Sequence, residues 1–233
     1  ITGDEVNTPE GKKPYETPRE LQDDELPGIV AGFRRAAENA LAAGFDGVEV
    51  HGANGYLLDQ FLRDGSNRRT GPYGGPVKNR ARLLLEVVDA VVAVWSPGRV
   101  GVRISPLNSF NDMRDSDPVG LTRYVAGELD RRGIAFLDLM RGDFFGVQKG
   151  DIVSAARGAF RGALLGGMGF SPAEAASAVH SGTFSAIVFG HHFISNPDLV
   201  ARVKAGVPLV EPDQATFYSP GPTGYTDYPT LPT

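Results

Sequence analysis

Apolar residues recur along this chain with two periods that take turns, and that alternation restricts the fold more than any other feature. Ile29, Val30, Phe33, Ala36, Ala37, Ala40 and Leu41 follow helical spacing. Asp23 or Asp24 is expected to cap that helix and Gly44 to close it. A short strand at Val48 and Val50 follows. Residues 77–95 return to the helical period, with Leu83, Leu84, Val87, Val88, Val91 and Val92 on the buried side. The strand RVGVRIS, a helix over 118–132, the strand AFLDLM (135–140), a helix over 151–160 and the strand ALLGG (163–167) come next. Ser171-Pro172-Ala173-Glu174 reads as a capping box with proline in the first turn, opening a helix to about Gly182. The strand AIVFG (186–190) precedes a helix started by Asn196-Pro197-Asp198 and closed near Gly206. Residues 1–23, rich in Pro, Gly, Thr and charge, read as a surface loop.

One helix and five strand–helix rounds mean parallel strands, because each crossover has to span a helix. The choices are a doubly wound sheet and a (β/α)8 barrel. No G-x-G-x-x-G opens the first strand–helix turn, which favours the TIM barrel. Five strands are too few to close one. The chain also begins at Ile1, without Met, in a polar segment. The expectation is therefore a single domain over 1–233 supplying about five βα units, with the N-terminal units absent or on another chain. The 233 residues, 41% hydrophobic and 22% charged, suit one soluble domain. A net charge of -5 without a basic run argues against a nucleic-acid partner. With no cysteine, disulfides, thiolate catalysis and cysteine metal sites are excluded. No two histidines stand four apart, so no metal site is expected. No apolar run has the length of a membrane span and no signal peptide is evident, so a cytoplasmic protein without membrane contact is expected.

In a barrel of this kind the chemistry sits at the carboxyl ends of the strands. His51, Asn54 and Tyr56 fall together after the first strand, spaced by Gly52, Ala53 and Gly55. Arg103 lies near the end of the second, where a core carboxylate partner is the bland alternative. Gly166-Gly167-Met168-Gly169 follows the fourth strand, ahead of the capped helix, and Gly190-His191 follows the fifth. Glycines let backbone N–H groups approach a ligand, and helix N-termini favour phosphate. Asn54 has a bland reading as a turn residue. His51 and Tyr56, taken singly, are more often packing residues.

The stretches GFDGVEVHGANGYLLDQFLRDGSNRRTGPYGG, VGVRISP, FISNPDLV and FYSPGPTGYTDYPTL resemble the old yellow enzyme family, flavin-dependent ene-reductases built on a (β/α)8 barrel. The resemblance runs in order through nearly the whole chain. It implies FMN as cofactor, NADPH or NADH as reductant, and an activated alkene as substrate. His51 and Asn54 would then bind the substrate carbonyl or nitro oxygen, and Tyr56 would donate the proton. Arg103 would lie beside the flavin pyrimidine ring. Met168, Gly169, Gly190 and His191 would hold the FMN phosphate by backbone N–H groups. Tyr225, in a C-terminal segment over 207–233, would line the substrate cavity.

Three departures stand out. The family's first three βα units are missing, so a complementary N-terminal chain or segment is expected as partner. A truncated, inactive fragment serving in folding or assembly is the alternative, and a sugar-phosphate isomerase the remote one. The family's usual arginine is replaced by His191, which implies weaker FMN retention, since histidine lacks a permanent charge. RGDFFGVQKGD, after the third strand, is shorter than in the family.

Overall fold

The structure is a computed structural model and describes residues 5–231, apart from residues 9 and 17. The N-terminal stretch is more ordered than a loop. Strands β1 (Glu5–Thr8) and β2 (Gly11–Pro14) pair antiparallel as a hairpin. The Thr8 hydroxyl donates to the Gly11 carbonyl at 2.7 Å, closing the turn. Helix α1 spans Leu26–Ala42, after a single 3-10 turn at Asp23–Glu25. Neither aspartate caps it. Asp23 pairs with Arg69 instead, and Glu25 accepts the Gln22 N–H at 2.7 Å. Gly44 does close the helix, with a φ of +84° that suits glycine.

Strand β3 is Val48–Gly52, followed by a short helix α2 (Leu57–Leu62). The helix expected over 77–95 is interrupted at Ala81, giving α3 (Val77–Arg80) and α4 (Arg82–Trp95). Then come β4 (Val100–Ile104), α5 (Pro118–Arg132), β5 (Phe136–Met140), α6 (Ile152–Ala159), β6 (Ala163–Gly167), α7 (Pro172–His180) and β7 (Ala186–Val188). A five-residue helix, α8 (His191–Ser195), went unread in the sequence and precedes α9 (Leu199–Ala205). The Ser171 box is half formed. Its hydroxyl accepts the Glu174 N–H at 3.2 Å, but the Glu174 carboxylate is taken by Arg141.

The five strands form one parallel sheet in the order β3-β4-β5-β6-β7. The order never reverses, in contrast to a doubly wound sheet, which needs a switch point. Register sorts the two faces. Val50, Val102, Leu137 and Leu164 lie in one row, all at most 4% exposed, beneath the helices. His51, Arg103 and Asp138 form the next row on the opposite face. A polar triplet on adjacent strands is therefore set by sheet register alone.

Helix α4 buries Leu83, Leu84, Val87, Val88 and Val91 as expected, and Trp95 as well. The Trp95 indole donates to the Ala37 carbonyl at 3.0 Å, fixing α4 against α1. Leu84 lies under the end of β3, its methyl carbon 3.1 Å from where a Cβ on Gly52 would stand. Leu84→Ala is expected to cost about 2–5 kcal/mol, since the strand end cannot collapse into the gap. Urea unfolding, followed by the fluorescence of Trp95, the only tryptophan, checks it.

Candidate active site

The β3–α2 turn carries His51, Asn54 and Tyr56. Asn54 has a left-handed φ of 59° and Gly55 one of 75°. At Gly55 a side chain is excluded, because a Cβ would fall 2.9 Å from Met113 Cγ and 3.2 Å from the Phe110 carbonyl. Two consecutive left-handed residues fold the chain back, so that the His51 and Tyr56 rings lie 5.5 Å apart, tilted by 49°. Both rings are exposed, Tyr56 by 55%.

This turn is held from beneath by a buried polar web. The Asn54 N–H donates to Ser105 Oγ at 2.7 Å, and the Gly55 N–H to Asp59 Oδ2 at 2.9 Å. Arg63, fully buried, sits 3.6 Å from Asp59 and donates to the Ser105 carbonyl at 2.8 Å and the Asn108 carbonyl at 3.3 Å. Arg80 adds a second buried pair with Asp115 at 3.1 Å and bonds the Leu62 carbonyl at 2.8 Å. The loop after β5 joins in through Gln148, which accepts the Asp115 N–H at 2.8 Å. Three successive strand-end loops are thus tied together below the site.

On the neighbouring strands Arg103 pairs with Asp138 at 3.4 Å, the core-carboxylate partner that its position in an apolar strand allowed. Arg103 Nε and Asp138 Oδ1 are buried without a hydrogen-bond partner among the described residues. Burial pushes the Asp138 carboxyl up, opposed by Arg103. Burial also raises Glu49, with Asp138 adding to the shift and Arg103 opposing it. For His51 burial, then Arg103, pulls the imidazole down, which favours its neutral form.

After β6, Met168 takes a φ of 83° and Gly169 one of 68°. Arg141 turns their carbonyls inward, donating to Met168 at 3.0 Å and Gly169 at 3.2 Å. The Arg141 guanidinium also lies 3.5 Å over the Phe170 ring. The N–H groups of Met168 and Gly169 have no partner among the described residues. Gly190 directly precedes α8, and His191 is its first residue. His191 Nε2 lies 3.9 Å from Glu211. Tyr225 belongs to a C-terminal segment tied to α9, through Arg202 to the Pro229 carbonyl and the Leu231 N–H to Asp198. No ring contact joins Tyr225 to His51 or Tyr56 among the described residues. No group of three or more potential metal ligands occurs among the described residues, and no helix there is long and apolar enough to cross a membrane.

The sequence reading missed Asp59, Arg63, Ser105, Asn108 and Asp138. A signal existed: Asp59 stands on a helix with Leu58, Phe61 and Leu62, and Arg63 follows four residues on, directly after the helix. A charged pair on an apolar side has to be a buried partnership.

The model of the NADH:flavin oxidoreductase / NADH oxidase family matches residues 2–210, and the chain belongs to that family. The stretch FYSPGPTGYTDYPTL lies beyond that match. A probable flavin mononucleotide-dependent alkene reductase of Leishmania infantum is 55% identical over 217 residues, covering 93% of this chain and 59% of the relative. The 12-oxophytodienoate reductase 2 of Arabidopsis thaliana is 41% identical, with 93% of this chain and 59% of the relative covered. The solved old yellow enzyme of Trypanosoma cruzi superposes with a TM-score of 0.93 at 42% identity, covering 95% of this chain and 60% of that one. The old yellow enzyme homologue of Zymomonas mobilis also gives 0.93, at 39% identity, with 99% of this chain and 66% of that one covered. The chain spans 59% of the length of both curated relatives.

Asp59 has its pKa pushed up to about 6 by complete burial, against the opposing pull of Arg63 and three hydrogen bonds. The folded state therefore binds this proton more tightly than the unfolded state does. That contribution is present at low pH and is lost as pH rises from about 4 through 6, amounting to about 3 kcal/mol. Urea titrations between pH 4 and 7 are expected to show stability falling across this window, and Asp59→Asn to flatten most of the fall. The remainder combines Glu49 and Asp138, which shift in the same direction, with His51 and Glu25, whose pKa values are lowered and which oppose the fall.

Proposed function

We propose that this chain carries the catalytic wall of an FMN-dependent ene-reductase that reduces activated C=C bonds of α,β-unsaturated carbonyl or nitro compounds with NADPH or NADH. The observation that carries the reading is the convergence of His51, Asn54 and Tyr56 at the end of β3, one strand from Arg103. In this reading the five strands are one side of a (β/α)8 barrel closed by a complementary N-terminal segment. Among the described residues β3 and β7 each pair on one side only, which supports it. The chain is then a single domain, with the 207–231 segment bordering the site and Tyr225 facing the substrate.

The residues present fit FMN. Arg103 Nε is buried and unpaired, suiting an anionic or carbonyl edge of a flavin. The free N–H groups of Met168 and Gly169 form a backbone cradle that would take phosphate, with Gly190 and His191 beside it. Bound FMN would accept a hydride from the nicotinamide and pass it to the alkene β-carbon.

The chain's own residues do the rest. His51 and Asn54 donate to the substrate oxygen, where negative charge accumulates as the alkene is reduced. Donors fixed in advance stabilise that charge more than mobile water does. His51 is neutral at working pH by the downward pull on it, so it donates from one nitrogen without repelling Arg103. Tyr56 gives its phenolic proton to the α-carbon as general acid. The Arg103 guanidinium offsets charge on the cofactor ring, and Asp138 behind it limits how much.

Tyr56→Phe is expected to lower alkene reduction about 10²–10⁴-fold while NADPH still bleaches the flavin at the parent rate. Anaerobic stopped-flow measurement of the two half-reactions checks this; loss of both together contradicts the role of Tyr56. His191→Arg is expected to lower the FMN dissociation constant about tenfold, because the guanidinium supplies a permanent charge and a two-pronged contact. Quenching of flavin fluorescence reads that constant directly.

A further inference from the structure

An amide side chain has a donor end and an acceptor end, and only the donor end of Asn54 can stabilise a substrate oxyanion. A one-way series of hydrogen bonds sets which end is left free. It begins at the backbone N–H of Phe110, which can only donate and which bonds Asn108 Oδ1 at 3.3 Å. That places the Asn108 nitrogen on the other side, where it donates to Asn54 Oδ1 at 3.0 Å. With its oxygen engaged, Asn54 has both hydrogens of Nδ2 free, and they meet no other partner among the described residues.

Asn108 is itself held firmly. It is 3% exposed, its N–H donates to the Ser105 carbonyl at 3.0 Å, and its carbonyl accepts from Arg63 at 3.3 Å. Its neighbour Ser109 is fixed by Asp143 through two bonds of 3.0 and 2.9 Å. The following residues Asn111 and Asp112 take left-handed φ values of 60° and 57°, bending the loop under Gly55.

We propose that Asn108 is a positioning residue that turns the Asn54 side chain so that its N–H₂ end, not its carbonyl, meets the substrate oxygen. The inference rests on the reading of Asn54 as a substrate-binding donor. A bland alternative exists, since an asparagine oxygen accepting the N–H two residues on is an ordinary turn-stabilising bond. That alternative accounts for Oδ1 but leaves the bond from Nδ2 to Asn54 without a purpose.

Two substitutions separate the readings. Asn108→Asp is nearly isosteric and keeps the acceptor for Phe110, yet it presents an acceptor to Asn54 as well. The Asn54 amide then turns over and shows its carbonyl to the substrate. Asn108→Ala removes the director and lets the amide take either orientation. For the flavin-loaded protein reducing 2-cyclohexenone with NADPH at pH 8, kcat/KM is expected to fall about 100-fold in Asn108→Asp and about tenfold in Asn108→Ala. A turn-stabilising role predicts the opposite order, and that order overturns the proposal.

Acid offers a second signature. Once the introduced carboxyl is protonated it can donate to Asn54 Oδ1, so Asn108→Asp is expected to recover toward the parent rate as pH falls, and Asn108→Ala is not. The charged groups near this position are Arg63, directly after α2, Asp143 from the loop after β5, which bonds the adjacent Ser109, and, beyond Ser105, Asp59 from α2. A neutron structure of the perdeuterated parent protein decides the orientation without any turnover. Deuterium on the Asn54 atom pointing away from Asn108 is expected, and deuterium on the atom facing Asn108 overturns the proposal. Absence of alkene reduction by the parent protein would sink the functional reading alone, and the neutron result would still decide the orientation.

Discussion

The candidate site depends on one buried ion pair, Arg63 with Asp59. Both side chains are at most 2% exposed, and truncating either would leave buried backbone groups without a partner, the Gly55 N–H on one side and the Ser105 and Asn108 carbonyls on the other. Around the pair, the two Nη groups of Arg63 donate to the Ser105 and Asn108 carbonyls, while its Nε has no partner among the described residues. Those carbonyls belong to the loop after β4, whereas Asp59 holds Gly55 in the turn after β3. Helix α2, through Asp59, and the residue that follows it, Arg63, thus fasten two strand-end loops to each other. That fastening braces the left-handed turn at Asn54 and Gly55, which brings the His51 and Tyr56 rings within 5.5 Å of each other.

A second constraint runs across the sheet. Parallel register puts His51, Arg103 and Asp138 side by side on the face opposite the apolar core. Burial and, after it, Arg103 keep His51 toward its neutral form, while burial makes Asp138 and Glu49 resist ionisation against the pull of Arg103. The row is a coupled electrostatic unit on one face of the sheet. A group carrying partial negative charge against Arg103 would complete it, which is why the orphaned Nε is informative.

Much of this was legible in the sequence because it depends on periodicity and on local chemistry. The five strands, the buried face of α4 and the stop at Gly44 follow from apolar spacing and from a glycine where φ has to be positive. His51, Asn54, Tyr56 and Arg103 were recognisable as a cluster because they fall at strand ends. What stayed hidden depends on contacts far apart in sequence. Asp59 and Ser105 are 46 residues apart, and Asn54 and Asn108 are 54 apart, so no local pattern announces either bond. The hairpin at residues 5–14 was read as a loop because its composition is polar, whereas Thr8 and Gly11 close it through turn chemistry. Asp23 was read as a cap, but a long-range partner, Arg69, claims it.

Under the proposed function, reducing equivalents pass from bound flavin to an activated alkene held at His51 and Asn54. Its most direct test is anaerobic mixing of the NADPH-reduced flavoprotein with 2-cyclohexenone, with the flavin absorption band followed in time and the product quantified. Rapid return of the oxidised flavin band is expected, with one equivalent of cyclohexanone formed per flavin. A reduced flavin that persists unchanged in the presence of the enone would contradict it.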